Sequence, residues 1–391
     1  MARRLSGGGL TTLESRLVRP PLGHGDQPLK LERWALDCYR LPYAQEVRWA
    51  DAVEDGGLFA LLRLWSADGA VGLAEGTIKA TWSGVSPRSL AAVLEDVLLP
   101  RLRSVDLADP DATAARLRPV PESRLARGMV ETACWTLRAA AAGTPLWRWW
   151  DGHPRVDLTW TVTRQAPARM AAEAADVVAR FGFATLKVKG GQGQATDLRA
   201  LAEIRAAVGE RVRLYVDANG AYARGEAAGY VARIAAAGAA LAEDPCPLTP
   251  DAGFEALQRG APIPVLVDEG CQTRADAALF LERGAVALSA KPGRVGLAES
   301  REIAGLAQAT GARTVVGLYG ESALGTLVSL QQAAAIPEAA RAAAAEPTFF
   351  LLMRDQVLAE PLAVRDGAVT LPPAPGLADL VDWERVRRYA V

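Results

Sequence analysis

Short apolar runs alternate with alanine-rich helical segments along the chain from about residue 156. The helical segments, such as "ATDLRALAEIRAAVG" and "ADAALFLERG", separate the runs at fairly regular intervals. Continuous apolar strands joined by helical crossovers predict a parallel sheet that is covered on both faces. Eight such units over roughly 200 residues fit a (β/α)8 barrel. The predicted strands lie in "VDLTWTVT", "ATLKVK", "VRLYVDAN", "AALAEDP", "PVLVDEG", "VALSAKPG", "RTVVGLY" and "TFFLLM".

The residues before this barrel show a different order, with strands first and helices after them. Two apolar runs flank a turn at Asp68-Gly69, and a helix is predicted to open at Ser86 and Pro87, a capping residue followed by proline. Segregated strands and helices predict a small α+β domain. The predicted fold class is therefore α/β, a (β/α)8-type (modified TIM) barrel with an N-terminal α+β capping domain that the C-terminal segment completes.

We expect four consecutive regions in the chain. Residues 1–29 contain Arg, Gly and Pro without an apolar core segment, which indicates a flexible extension rather than a signal peptide. Residues 30–150 are expected to form the capping domain and residues 151–355 the barrel. Residues 356–391 break the β–α rhythm, and we expect them to return to the capping domain.

The composition excludes several classes of function. The chain has 391 residues and a formal net charge of −1 without a basic stripe, so no nucleic-acid partner is expected. It has no run of about 18 apolar residues, so no membrane span is expected. Four widely spaced cysteines without a CxxC pair indicate a reduced, cytoplasmic protein. Only two histidines are present, His24 and His153, so acid–base chemistry has to come from Lys, Asp, Glu or Tyr.

Charged residues recur at one place in the predicted barrel, the carboxyl end of each strand, where barrel enzymes build their active sites. Intervals of 26, 25 and 23 residues separate Asp217, Glu243, Asp268 and Lys291, which is one strand–helix–loop unit each. The complete series in chain order is Lys187, Lys189, Asp217, Glu243, Asp268 and Lys291, with Glu321 in the loop after the seventh strand.

Three carboxylates on successive strand ends predict a metal site. Asp217, Glu243 and Asp268 would lie close together, and in a partly buried site they could not all stay ionised without a counter-charge. Carboxylate oxygens, with water or substrate oxygens, form the octahedral shell that Mg²⁺ favours. We therefore predict Mg²⁺ at this site, with Mn²⁺ as the alternative.

Two lysines would flank this metal, Lys189 on the strand before the carboxylates and Lys291 on the strand after them. Two bases that face each other across a divalent cation suit removal of a proton next to a substrate carboxylate, because the cation stabilises the resulting enolate. Lys187 lies two residues before Lys189, so a strand places both on the same face. We expect the charge of Lys187 to favour the neutral form of Lys189, and its ammonium group to contact the substrate carboxylate.

These motifs, "LKVK…VDAN…EDP…VDE…AKPGRVG…ESALGT", resemble the enolase superfamily and, within it, the muconate lactonizing enzyme subgroup, from about residue 30 to the end of the chain. The resemblance implies a Mg²⁺-dependent isomerase or lyase with an enolate intermediate, whose capping loops close over the barrel mouth. It also implies that Lys189 and Lys291 are the acid–base pair and that Asn219 and Glu269 support the metal ligands. The implied ligands are Asp217, Glu243 and Asp268.

The resemblance leaves the substrate and the reaction open. Glu321 matches the Glu of the strand-seven loop in muconate cycloisomerases, and the other predicted substrate contacts are Lys187, Tyr43 and Trp49. Cycloisomerase-like lactonization is the first expectation. The alternatives are racemisation or epimerisation of N-acylamino acids or proline derivatives, and syn-dehydration of the o-succinylbenzoate synthase type. Each acts on a small-molecule carboxylate, and the symmetric assemblies of the family imply a homo-oligomer.

Two alternatives from other classes also follow from the residues. A Schiff-base aldolase on the same barrel would use Lys189 or Lys291 as its nucleophile, but it would not need three carboxylates beside that lysine. A barrel kept only for binding or assembly would tolerate the loss of Lys291 and would have no Mg²⁺ site.

Overall fold

The computed structural model describes residues 28–48 and 53–391. The capping part begins with an antiparallel sheet in the order β1–β2–β3. The turn between β2 and β3 carries Gly69 at φ 88°, which glycine adopts without strain, as the Asp68-Gly69 pattern predicted. Most of the predicted N-terminal extension lies outside the described residues. The three strands are Leu31–Arg48, Val53–Ser66 and Val71–Ile78.

Five helices of the capping part follow this sheet. The second, α2, begins as predicted after Ser86, whose side chain accepts a hydrogen bond from the backbone of Ser89, and Pro87 is its first residue. It continues into a π-helical stretch at Val93–Leu98 and a 3₁₀ turn at Leu99–Leu102. The helices are α1 (Ala80–Ser83), α2 (Pro87–Ala92), α3 (Pro110–Leu117), α4 (Arg124–Ala141) and α5 (Leu146–Trp149).

Seven parallel strands form the sheet of the barrel, in the order β11–β10–β9–β8–β7–β6–β5. This confirms the predicted α/β architecture for seven of the eight strands. They are β5 (Thr159–Val162), β6 (Thr185–Lys189), β7 (Arg213–Asp217), β8 (Ala239–Glu243), β9 (Val265–Val267), β10 (Ala287–Ala290) and β11 (Arg313–Val316). Two short strands outside this sheet, β4 (Arg155–Asp157) and β12 (Ala368–Thr370), pair antiparallel.

Helical crossovers separate the parallel strands, as the alanine-rich segments predicted. They are α6 (Pro167–Phe181), α7 (Gln194–Val208), α8 (Arg224–Ala236), α9 (Ala252–Gly260), α10 (Arg274–Glu282), α11 (Pro292–Val295), α12 (Leu297–Ala309) and α13 (Ala323–Ala335). A last helix, α14 (Trp383–Arg388), lies near the C-terminus. Within the described ranges, no helix has the length and the apolar character that crossing a bilayer requires.

The prediction of the eighth strand at "TFFLLM" is wrong. Phe349–Leu352 form a 3₁₀ turn, and the gap between β11 and β5 is filled by residues 341–346. The backbone N–H of Ala342 donates to Thr314 O (3.0 Å), and that of Thr159 donates to Ala345 O (2.7 Å), so this segment bridges the two edge strands. Four successive alanines have little strand propensity, and the segment pairs with the two edge strands through isolated bridges at Arg341 and Ala345, with bends at residues 342–344 between them.

The C-terminal residues pair with the first strand of the capping part. The N–H of Arg40 donates to Tyr389 O (2.9 Å), and the N–H of Val391 donates to Cys38 O (3.1 Å). These bonds agree with the expected return of the last segment to the capping part, while the domain boundaries themselves stay predictions.

Helix α4 of the capping part packs directly on the end of the short helix α11 and on Gly296, which joins α11 to α12. A Cβ atom on Gly296, which has φ 87°, would lie 2.5 Å from the Cα of Gly128, so neither position has room for a larger residue. The N–H of Leu297 donates to Oγ1 of Thr132 at 3.0 Å. The capping part is thereby in contact with the segment that carries Lys291.

Candidate active site

The strand ends that the sequence singled out lie side by side in the sheet. Lys189 ends β6, Asp217 ends β7 and Glu243 ends β8, and their Cα atoms are partners in the parallel register. Asp268 follows β9 directly, and Lys291 follows β10. The predicted order of lysine, three carboxylates and lysine therefore runs across five neighbouring strands at the carboxyl end of the barrel.

Each of the two outer lysines is bound to the carboxylate nearest to it. Nζ of Lys189 lies 2.7 Å from Oδ2 of Asp217 and 3.0 Å from Oδ1 of Asn219. Nζ of Lys291 donates to Oδ2 of Asp268. The two lysines are thus held at opposite ends of the carboxylate row.

Lys187 lies in the interior of the barrel. Its side chain is 2% exposed, and Nζ lies 2.7 Å from Oε1 of Glu243, 3.0 Å from Oδ2 of Asp217 and 3.1 Å from Oε1 of Glu346. Burial alone would lower the pKa of Lys187, but these three carboxylates together raise it well above its usual value. Its partners are protein carboxylates, and the predicted contact with a substrate carboxylate stays a prediction.

The three carboxylates of the row differ in how readily they ionise. Burial opposes the ionisation of Asp217 and Asp268, but the adjacent cationic groups hold the pKa of each well below its usual range. Burial, followed by repulsion from Asp217, raises the pKa of Glu243 well above its usual value. A third negative charge in the row is therefore unfavourable until a further cation compensates it.

The donor set fits a hard divalent cation. In the part of the chain that the structure describes, no group of three or more Asp, Glu, His or Cys side chains is arranged to hold a metal ion as it stands. Oxygens of Asp217 and Asp268 bind the lysine ammonium groups instead. Oε2 of Glu243, however, is buried without a hydrogen-bond partner, which is unfavourable unless a cation or a donor reaches it. Carboxylate oxygens of this kind are the ligands that Mg²⁺ and Mn²⁺ prefer.

Lys189, Asp268 and Lys291 line a cavity of about 1160 Å³ at the barrel mouth. The capping part contributes residues 81–85 and 122–125 to its wall, and the ring of Trp82 packs against that of Tyr319 with centroids 5.5 Å apart. A cavity with charged groups on one side and aromatic rings on another suits a small molecule that has both a charged and an apolar part. Its aromatic and aliphatic lining residues include Trp82, Trp160, Leu318, Tyr319, Phe349 and Leu352.

Two of the predicted substrate contacts, Tyr43 and Glu321, are not among the residues that line the large cavity. Tyr43 is 5% exposed and packs edge-on against Phe349, which itself lines the cavity, with ring centroids 5.4 Å apart. Trp49 lies outside the described residues. Glu321 is buried and lines a separate cavity of about 10 Å³ together with Glu75, and burial raises its pKa to about 7. Contact of these residues with substrate stays a prediction, and the position of Glu321 favours a supporting role.

Asn219 and Glu269 lie beside the carboxylate row, in different settings. Asn219 has φ 48°, and its N–H donates to Oδ1 of Asp217 at 2.8 Å while its amide oxygen accepts from Lys189. Asn219 therefore holds the side chains of both Asp217 and Lys189 in place. Glu269 has an exposed side chain that lines the cavity, and its backbone N–H donates to Oδ2 of Asp244 at 2.8 Å.

Sequence reasoning missed two buried carboxylates of this site. Asp244 is 2% exposed, with φ 36°, and accepts hydrogen bonds from the N–H groups of Asp268 (3.1 Å) and Glu269 (2.8 Å), which fixes the loop after β9. Burial, followed by repulsion from Asp268, raises its pKa to about 7. Glu346, 0% exposed, binds Lys187. In "AEDP", Asp244 directly follows the predicted ligand Glu243, and this position could have indicated it. Glu346 was missed because the eighth strand was predicted in the wrong place.

Comparison with known proteins gives a consistent result. The sequence model of the family described as "Enolase C-terminal domain-like" matches residues 169–385. Muconate cycloisomerase 1-2 of Acinetobacter lwoffii is 30% identical over 369 residues, which are 92% of this chain and 95% of that protein. A substrate-liganded structure of the L-Ala-D/L-Glu epimerase from Bacillus subtilis has 26% identity and a TM-score of 0.81, covering 89% of this chain and 98% of that one. A muconate lactonizing enzyme from Pseudomonas fluorescens complexed with muconolactone is similar in fold, with a TM-score of 0.84 at 24% identity over 93% of this chain and 100% of that one.

Proposed function

The chain belongs to the enolase superfamily, in its muconate lactonizing enzyme subgroup, and on this premise we propose that it removes the proton α to the carboxylate of a small-molecule substrate. It is an enzyme of that superfamily, as its motifs predicted. The observation that carries the proposal is the placement of Lys189 and Lys291, which line one cavity and are bound to opposite ends of a row of three carboxylates. Two amines in this arrangement can serve opposite faces of one substrate carbon.

A divalent cation completes the proposed site. Enzymes of this subgroup generally use a divalent metal, and we propose Mg²⁺, or Mn²⁺ in its place, on Asp217, Glu243 and Asp268. When bound, the cation supplies positive charge that stabilises a developing enolate. The unpartnered Oε2 of Glu243 supports this assignment, because the oxygen is already desolvated and has no competing donor.

Residues of the chain carry out the proton transfers. One of Lys189 and Lys291 accepts the α-proton at Nζ, and the other can deliver a proton to the opposite face. Asn219 keeps Nζ of Lys189 beside the row. Trp82 and Tyr319 add packed aromatic rings to the wall of this cavity, where they can contact an apolar part of the substrate.

Cycloisomerase-like lactonization is the reaction we propose first, since the curated relative with 30% identity is a muconate cycloisomerase. Epimerisation is the second candidate, because a dipeptide epimerase is similar to this chain over 89% of its length. Racemisation of N-acylamino acids or proline derivatives and syn-dehydration share the same first step. The cytoplasmic location and the homo-oligomeric state stay predictions.

Exchange of a substrate proton with solvent tests this function. In D₂O with Mg²⁺, the enzyme is expected to introduce deuterium α to the carboxylate of its substrate, and EDTA should abolish the exchange because the enolate loses its stabilising charge. Mass spectrometry on a panel of muconolactone, dipeptides, N-acylamino acids and proline derivatives measures it. Exchange that survives EDTA, or a substrate adduct trapped by borohydride, would instead support the Schiff-base alternative.

Replacing Asp244 by alanine is expected to lower the exchange rate about 10- to 100-fold, a typical cost of removing a group that orients a metal ligand. The variant removes both hydrogen bonds that fix the N–H groups of Asp268 and Glu269. Asp151→Ala is the matched control, because Asp151 also has a positive φ, of 55°, but belongs to the connection between α5 and β4. Equal rates in the two variants would show that Asp244 does not orient the site.

A further inference from the structure

Glu346 lines the same cavity as Lys189 and Lys291, but the proposed reaction gives it no role. It ends the segment that fills the gap between β11 and β5, and its N–H donates to Val316 O at 2.8 Å. Its carboxylate accepts hydrogen bonds from Nζ of Lys187 (3.1 and 3.2 Å) and from the hydroxyl of Tyr215 (2.7 Å). The side chain is fully buried, so a carboxylate there has to be held by such partners.

Three carboxylates share the ammonium group of Lys187, and they differ in one respect. Asp217 and Glu243 are also proposed ligands of the divalent cation, whereas Glu346 is not. An ammonium group and a divalent cation compete for the same oxygens, and they repel each other when both are buried. The position of Lys187 therefore affects how strongly the cation can bind.

We infer that Glu346 is a positioning residue that holds the charge of Lys187 inside the barrel, so that Asp217 and Glu243 stay available to the cation. This inference rests on the cation site of the proposed function. Tyr215 contributes by fixing Oε1 of Glu346, and the N–H of Leu318 donates to Oε2 at 3.3 Å. Without Glu346, Lys187 keeps only the two ligand carboxylates as partners.

Direct binding of Mn²⁺ tests the inference without substrate. Titration of the purified protein, followed by electron paramagnetic resonance of free Mn²⁺, is expected to give a Kd for Glu346→Gln that is about 10- to 100-fold above wild type. Glu131→Gln is the matched control, a carboxyl-to-amide change on helix α4 of the capping part, and it should bind as wild type does. A Kd for Glu346→Gln within about twofold of the control, a difference too small for such an orienting group, would overturn the inference.

A double-variant cycle separates positioning from a general loss of structure. If Glu346 acts through Lys187, the double variant Lys187→Met with Glu346→Gln should bind Mn²⁺ more tightly than Glu346→Gln alone, because the competing ammonium group is gone. A double variant that binds no better than Glu346→Gln would contradict this route. Should Glu346→Gln fail to fold, Tyr215→Phe takes its place in the cycle, since it keeps every charge and removes the hydroxyl that holds Glu346.

The same titration distinguishes the two proposals. Wild-type protein that binds no Mn²⁺ would contradict the cation site and the inference together. Wild-type protein that binds Mn²⁺, while Glu346→Gln binds it equally well, would contradict the role of Glu346 alone and leave the proposed function intact.

Discussion

Replacement of Lys189 or Lys291 by alanine is expected to lower kcat at least about 10³-fold, within the range that a positioned acid or base contributes. Each variant removes the lysine that is bound at its end of the carboxylate row, and no histidine follows His153 in the chain to act instead. The reaction would have to rely on water for one of its two proton transfers.

Both variants are expected to fold, because neither leaves a buried carboxylate without a cation. Asp217 keeps Lys187 at 3.0 Å when Lys189 is removed, and Asp268 keeps Arg294 at 3.1 Å when Lys291 is removed. Circular dichroism and the thermal midpoint of each variant should therefore match those of Lys30→Ala, a change of an exposed lysine on the capping part.

The pattern of residual exchange identifies the face that each lysine serves. With a substrate whose α-carbon is stereogenic, each variant should exchange the proton of one enantiomer and fail with the other. Proton NMR in D₂O follows the two enantiomers separately. Full turnover in either variant, or exchange of both enantiomers at the wild-type rate, would contradict the assignment of one base to each face.

The row of lysines and carboxylates was predictable from sequence because of barrel geometry. One strand–helix–loop unit separates Asp217, Glu243, Asp268 and Lys291, and the parallel register puts the ends of successive units at the same edge of the sheet. The strand on which each residue lies was therefore enough to predict its neighbours, but not the distances between the side chains.

The partners of Lys187 were not predictable in the same way. The two-residue period correctly put Lys187 and Lys189 on one face, but it carries no information about depth. In the register, Lys189 is level with Asp217 at the barrel mouth, whereas Lys187 is level with Tyr215, one layer further inside. The acid that meets it there, Glu346, follows a run of alanines that backbone hydrogen bonds hold between the two edge strands. Sequence periodicity cannot reveal a bridging segment of that kind.

Loss of Glu75 is expected to destabilise the protein by roughly 2–4 kcal/mol, because several polar groups would be left buried without a partner. Glu75 lies on β3 of the capping part, and its carboxylate accepts hydrogen bonds from the hydroxyl of Tyr39 and from both the N–H (3.0 Å) and the hydroxyl of Ser322. Ser322 is the N-cap of α13 in the barrel. A single carboxylate therefore joins two strands of the capping part to the start of a barrel helix.

Urea unfolding of Glu75→Ala measures this contribution, with Glu32→Ala as the control because Glu32 is an exposed glutamate on β1 of the same capping sheet. Glu75→Gln keeps the shape and one acceptor, so its free energy of unfolding should lie between those of Glu75→Ala and wild type. The same contact connects stability to catalysis, since the capping part supplies Trp82 and other residues of the cavity wall. We therefore expect KM to rise in Glu75→Ala even where the protein is still folded. An unfolding free energy equal to that of Glu32→Ala would show that the capping part is held to the barrel by its apolar contacts instead.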